Sequence, residues 1–213
     1  MAELLLWGTW ETLVMTFASG FFGFVLGLPL GVLLFITRAG QIMENRIINS
    51  ILSVVINLFR AIPFIILIVW MIPFTRLVVG TSIGVAAALV PLSVGAAPFI
   101  ARMAENSFLE VPYGLVEASR AMGATPFQIV CKTLLPEALP SLVNSATITL
   151  ITLIGYSTMG GAVGAGGLGQ IGYQYGYVGY DMVTMNIVLA LLVALVFAVQ
   201  VAGNFIAKRV DHR

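Results

Sequence analysis

The sequence predicts an all-α integral membrane domain over residues 1–213, with five transmembrane helices and a charged helix pair between the third and the fourth. Composition is the first observation behind this: 60% of the residues are hydrophobic and 9% charged, with a mean hydropathy of +1.05, against about 25% charged in an ordinary soluble domain. The second is a series of uncharged runs long enough to cross a hydrocarbon core of about 30 Å. The third is the placement of positive charge. With five spans and the N-terminus outside, Arg38, Arg46, Arg60, Arg102, Arg120, Lys132, Lys208, Arg209 and Arg213 fall on or near the cytoplasmic side, and only Arg76 lies outside. That asymmetry is the positive-inside pattern.

The first span is expected over residues 12–37, which carry no charge. As a helix they would reach about 39 Å. Gly23, Gly27 and Gly31 recur every fourth residue and form one flat face that another helix backbone can approach closely; Pro29 should kink the same helix. Residues 1–37 hold no Lys or Arg, so the positively charged start of a cleaved leader is missing and the N-terminus is expected to be retained.

Arg38, Glu44 and Arg46 form a charged turn before the second span, expected over 52–75. Arg60 lies inside it, where the long stem can reach the interface or the charge can face a polar interior. The third span is expected over 77–101, broken up by Gly80, Gly84, Pro91, Gly95 and Pro98. The fourth is expected over 141–159 and the fifth over 182–207. Between these two, residues 160–181 hold nine glycines and four tyrosines before Asp181 and read as a compact outer loop.

The charged element covers residues 112–136. Leu115, Ala118, Ala121 and Met122 keep helical spacing as far as Gly123, which suits the left-handed residue that ends a helix. Thr125, Pro126 and Gln128 then form a capping box with proline in the first turn. Pro136 is expected to stop the second helix by disfavouring helical geometry at Leu135. Two short helices bearing Glu117, Arg120 and Lys132 should lie at the membrane surface rather than cross it.

Glu117-Ala118-Ser119, then Gly123, then Thr133-Leu134-Leu135-Pro136 resembles the EAA loop of ABC-importer permeases, with Ser119 standing where alanine is common and Thr133 where isoleucine is common. The resemblance extends over essentially the whole chain, including Leu134 to Pro140 and Gly160 to Gln170, and is greatest to methionine-importer permeases. It implies a type I importer fold in a bacterial inner membrane, present as two copies. The partners it implies are a cytoplasmic ABC ATPase dimer and a periplasmic or lipid-anchored binding protein that delivers L- or D-methionine. In such a protein Glu117, Ala118, Ser119, Arg120, Gly123, Ala124, Thr125 and Pro126 would couple to the ATPase. Phe59-Arg60-Ala61-Ile62-Pro63-Phe64 is similar to an Arg-x-x-Pro segment of amino-acid permeases. Arg60 is therefore assigned to the path, and Tyr156, Ser157 and Met159 to a gate at the outer end of the fourth span, where Met159 has the adaptable side chain of a plug.

Other chemistries lack their parts. With 213 residues the spans leave no room for a soluble catalytic domain, and one histidine, His212, and one cysteine, Cys131, can build neither a zinc site nor a disulfide. Gly164-Ala-Gly-Gly-Leu-Gly169 spells a dinucleotide fingerprint, but it follows a membrane helix rather than a strand. No Gly-Lys-Ser/Thr run exists for a phosphate loop, so no cofactor and no catalysis by this chain alone are expected. A net charge of +1 gives no face for nucleic acid. The remaining alternatives are an importer of another small amino acid, or an ATP-independent gated channel or membrane scaffold.

Overall fold

A computed structural model describes residues 1–211, and every described element is helical. His212 and Arg213, the second of them expected on the cytoplasmic side, lie outside the described residues. The longest helices are α1 (Ala2–Thr37), α5 (Val85–Leu109), α8 (Leu135–Gly161) and α10 (Met182–Val210). Shorter ones are α2 (Arg46–Ala61), α3 (Phe64–Trp70), α4 (Ile72–Val79), α6 (Tyr113–Ala121), α7 (Pro126–Ile129) and α9 (Gly167–Ile171). Among the described residues four helical stretches are long and apolar enough to span a membrane; a fifth span requires α2 and α3, bent by 97° to each other, to count as one.

Packing of α1 on α5 organises the bundle. A Cβ on Gly27 would stand 2.5 Å from the Ala97 carbonyl oxygen, and one on Gly31 would stand 2.7 Å from that of Ala101. Helix α1 is thus in backbone contact with α5, as the four-residue glycine spacing predicts. The central core adds Met15, Leu67, Leu92 and Leu153, from four different helices. At one end Phe35, Phe108, Val116, Ile129 and Leu134 bury the charged element against α1 and α5. At the other, Leu5, Leu168, Ile171 and Val188 bury the glycine-rich segment.

Several boundaries differ from expectation. Helix α1 starts at Ala2, ten residues before Thr12, because Glu11 is not a free charge at its end: Trp7 donates to it at 3.0 Å and the Gly167 amide at 2.6 Å. The stretch expected as a second span over 52–75 is three pieces, since Pro63 supplies no N–H and Ile62 leaves helical geometry at ψ 123°. The helix expected as the third span over 77–101 runs over 85–109, because Gly80 and Gly84 take positive φ and separate it from α4. Pro29 sits within one continuous α1.

Two further differences concern the ends of α8. Pro136 does not stop a helix: residues 126–161 form one helical run, with Leu135 at φ −62°, ψ −47°. The π-helical turn Val130–Leu134 just before it shifts the hydrogen-bond register, so the missing proline N–H leaves no gap. Beyond Gly161 the expected loop is largely helical, formed by α9 and a π-helical stretch Gly172–Val178. Its glycines are contact points. Gly161 faces the Gly169 and Gln170 backbone while Gly169 faces that of Thr158, so the segment lies directly on the end of α8.

Glu11 and Thr12 hold this segment from the other side, Thr12 accepting from the Leu168 amide at 2.9 Å. Glu11→Ala should free the Gly167 amide, a charge-assisted bond whose loss removes about 1.5–3 kcal/mol from local stability. Amide exchange over residues 166–171 should then quicken by tenfold or more; an unchanged rate would show that the segment is held by glycine packing alone.

Candidate functional site

Helix α6 ends in a Schellman motif. Gly123 takes φ +80°, its amide donates to the Arg120 carbonyl at 2.9 Å, and the Ala124 amide donates to the Ser119 carbonyl at 3.1 Å. A capping box opens α7, with the Gln128 amide donating to Thr125 Oγ1 at 3.4 Å and the Thr125 amide donating to Gln128 Oε1 at 2.9 Å. The elbow between the two helices is therefore fixed by four hydrogen bonds on six residues.

The elbow divides the sequence-selected residues into two sets. Glu117, Ala118, Arg120, Gly123, Thr125 and Pro126 are exposed, with Ala124 partly so. Ser119 is buried: it donates to the Leu115 carbonyl at 2.8 Å and pairs with the Thr133 hydroxyl at 2.9 Å. The two residues that depart from the EAA pattern are thus each other's partners. A hydroxyl pair takes the place of two apolar side chains, and either hydroxyl alone would be left without that bond. Sequence reasoning passed over Met122 and Phe127, which stand 81% and 77% exposed on either side of the elbow. The signal was available, since an apolar residue next to a helix-ending glycine or a capping proline has no helix face to bury it.

A polar cleft of about 470 Å³ opens between the end of α5 and the start of α8. It is lined by Met103 and Asn106 of α5, by Glu110 just past its end, and by Ser141, Asn144 and Ile148 of α8. Ser141 and Ser145 both hydrogen-bond Ser107 at 3.1 Å, tying the two helices behind the cleft. Nearby, Glu105 is 4% exposed and serves two cations: Arg102 Nη1 at 2.6 Å and Arg38 Nη1 at 3.8 Å. Arg102 Nη2 also donates to Asn57 Oδ1 at 3.1 Å, joining α2 to α5.

Of the residues expected along a path, Arg60 and Tyr156 line one cavity of about 120 Å³. Tyr156 stacks on Phe64 with ring centroids 4.4 Å apart. Met159 is exposed on α8, on the same stripe as Asn144, Ile148 and Gly155. Ser157 is not on that stripe; it is buried and donates to the Ile154 carbonyl at 2.8 Å, which makes it part of the packing. Among the described residues no group of three or more His, Cys, Asp or Glu converges to hold a metal ion.

This geometry has close counterparts. The profile of the family described as binding-protein-dependent transport system inner membrane component matches residues 23–213. The D-methionine transport system permease protein MetI of Salmonella typhimurium is 72% identical over 165 residues, 76% of each chain. The probable D-methionine transport system permease protein MetI of Vibrio cholerae is 51% identical over 212 residues, covering 100% of this chain and 94% of its own. Among solved structures, a chain of the MetNI methionine ABC transporter in an inward-facing conformation superposes with a TM-score of 0.99 at 69% identity, over 100% of this chain and 98% of that one. An amino acid ABC transporter at 18% identity shares the fold, with a TM-score of 0.79 over 98% and 94% of the two chains.

Proposed function

The chain belongs to the family of binding-protein-dependent transport system inner membrane components, and on that premise we propose that it is the permease subunit of an ATP-driven importer of L- or D-methionine. The observation that carries this reading is the exposed, four-bond elbow, joined without a break to the membrane helix α8. A partner that grips Met122 and Phe127 moves the start of a helical run of 36 residues. Such a run spans about 54 Å, so displacement at one end reaches the far end, where Met159 lies.

The partners this reading assigns are a second copy of the chain, a cytoplasmic ABC ATPase dimer and a periplasmic or lipid-anchored methionine-binding protein. ATP hydrolysis belongs to the ATPase. Nucleotide-driven closure biases the permease between inward-open and outward-open states, and delivered methionine moves as the populations exchange. The second copy lies across the exposed stripe of α8. The elbow end is cytoplasmic and the glycine-rich segment periplasmic, an orientation supported by the basic residues gathered at the elbow end. An impermeant thiol reagent added to intact cells should therefore leave Cys131, exposed on the elbow side, unlabelled. A cysteine at Gln174 should react; the reverse pattern would invert the orientation.

Met159 serves as the plug at the periplasmic end, its unbranched side chain meeting that of the second copy and moving aside on opening. Met159→Ala should raise ATP hydrolysis in the absence of delivered substrate by several-fold, because closure no longer depends on that contact. Hydrolysis that stays fully substrate-dependent would return Met159 to simple packing. The function as a whole is tested by uptake of labelled methionine into proteoliposomes holding this chain and its ATPase with the binding protein supplied. Uptake driven by ATP and competed by unlabelled methionine supports it, while uptake of a different amino acid alone overturns the substrate.

A further inference from the structure

Resting on the importer reading, we propose that Arg60 and Tyr156 form a carboxylate-binding site halfway through the permease, which holds the substrate by its carboxylate end. The cavity they line lies between Gly95 and Phe99 of α5. Those residues are each ten positions from an end of that helix, which runs Val85–Leu109, so the cavity sits at mid-depth in the bundle. It also adjoins the 97° break between α2 and α3. Interrupted helices at mid-depth hold the substrates of many secondary transporters, and the same physics applies to any broken helix that lines a cavity inside a membrane protein.

The guanidinium at this depth has no acid. The buried carboxylate in this part of the bundle, Glu105, is already shared by Arg102 and Arg38, and Asn57, one turn before Arg60 on α2, is taken by Arg102. Arg60 has no hydrogen-bond or ion-pair partner among the described residues. The Tyr156 hydroxyl likewise has none, although its ring is fixed against Phe64. An unpaired cation and a free phenol on one cavity wall suit a carboxylate, which a planar guanidinium binds through paired hydrogen bonds. Intramembrane arginines without a partner mark functional sites for the same reason.

Phe99 of α5 lines the cavity, and Met103, four residues on, lines the cleft. Residues four apart share a helix face, so both openings lie along one face of α5. An amino acid held at Arg60 would lie with its apolar portion against Phe99 and Phe64. No Asp or Glu lines the cavity. Recognition there is of the carboxylate and not of the ammonium.

The test uses the assembled permease and ATPase with Cys131→Ala and a single new thiol, Phe99→Cys, whose alkylation rate reports occupancy. L-methionine should slow alkylation, γ-methylthiobutyrate, which lacks the amino group, should do so at similar concentration, and L-methioninamide, which lacks the carboxylate, should need about tenfold more or fail. Arg60→Gln should remove protection by the two carboxylates, and Arg60→Lys should retain part of it. Equal protection by the amide overturns the proposal, and so does undiminished protection in Arg60→Gln. If Arg60→Gln does not assemble, the comparison of the three compounds on the Arg60-containing protein decides. ATP-driven methionine uptake without protection of this thiol refutes the site and leaves the importer standing. Protection by another carboxylate without methionine uptake refutes the substrate and leaves the site.

Discussion

Gly27→Val is expected to prevent the chain from accumulating as an assembled permease. A Cβ at this position would lie 2.5 Å from the Ala97 carbonyl oxygen and 2.8 Å from Ile100 Cβ. Both neighbours belong to a helix that cannot turn aside as a flexible side chain could. Relief requires α1 and α5 to separate along their length, because Gly31 makes the same backbone approach one turn on and Gly23, one turn before, packs against the Ala96 and Ile100 side chains. In a membrane this close packing is itself the source of helix association, since lipid solvates apolar side chains as well as protein does. Overpacking a core typically destabilises by about 1–3 kcal/mol, and backbone against backbone lies at the upper end. Gly114→Ala is the control: nothing stands within 4 Å of its Cβ, and alanine improves helix propensity by up to about 1 kcal/mol. Membrane-fraction yield and the thermal midpoint of the detergent-solubilised chain should fall steeply for Gly27→Val and hold or rise for Gly114→Ala. A Gly27→Val chain with normal yield and midpoint would show that α1 and α5 are not tightly apposed.

The glycines of α1 and the elbow were legible in the sequence for related reasons. Gly23, Gly27 and Gly31 have a period, Gly123 has a position at the end of an amphipathic pattern, and Thr125 with Gln128 has a spacing, so each carries a geometric meaning that survives without neighbours. What failed to show was tertiary. Pro136 reads as a stop, and it continues only because the π turn over Val130–Leu134 changes the bonding register upstream. The segment over 160–181 reads as a loop because nine glycines depress helix propensity, yet Gly169, Gly172 and Gly176 are required small by contacts with α8 and α10, and Gly161 by contact with α9. Glu11 reads as a charge to be excluded from a span, and its partner Gly167 is 156 residues away. The same distance hid the cavity at Arg60, whose walls come from α2, α3, α5 and α8.

Alanine at both Met122 and Phe127 is expected to release the ATPase while leaving the permease folded. These side chains are 81% and 77% exposed, so their removal opens no cavity and the thermal midpoint of the isolated permease should hold. On a partner surface the same two groups would be the large apolar anchors of a small contact, and anchors of that kind typically lose about 2 kcal/mol or more each on truncation. Loss of one or both should weaken docking by about 30-fold or more, enough to abolish co-purification at micromolar protein and to reduce ATP-driven uptake to background. Gly123→Val should give a partial form of the same defect: φ +80° at that position costs a β-branched residue about 1–2 kcal/mol, and the elbow would change its angle with both anchors still present. Glu117→Lys, an exposed charge beside them, should slow association chiefly at low salt. Ser119→Ala separates stability from docking, since Ser119 is buried under the elbow against Thr133 and its loss should lower the midpoint without a comparable loss of binding. Full co-purification and transport by the Met122→Ala, Phe127→Ala pair would mean that the ATPase grips some other surface, and the unbroken helical run from Pro126 to Gly161 would then have no driver at its exposed end.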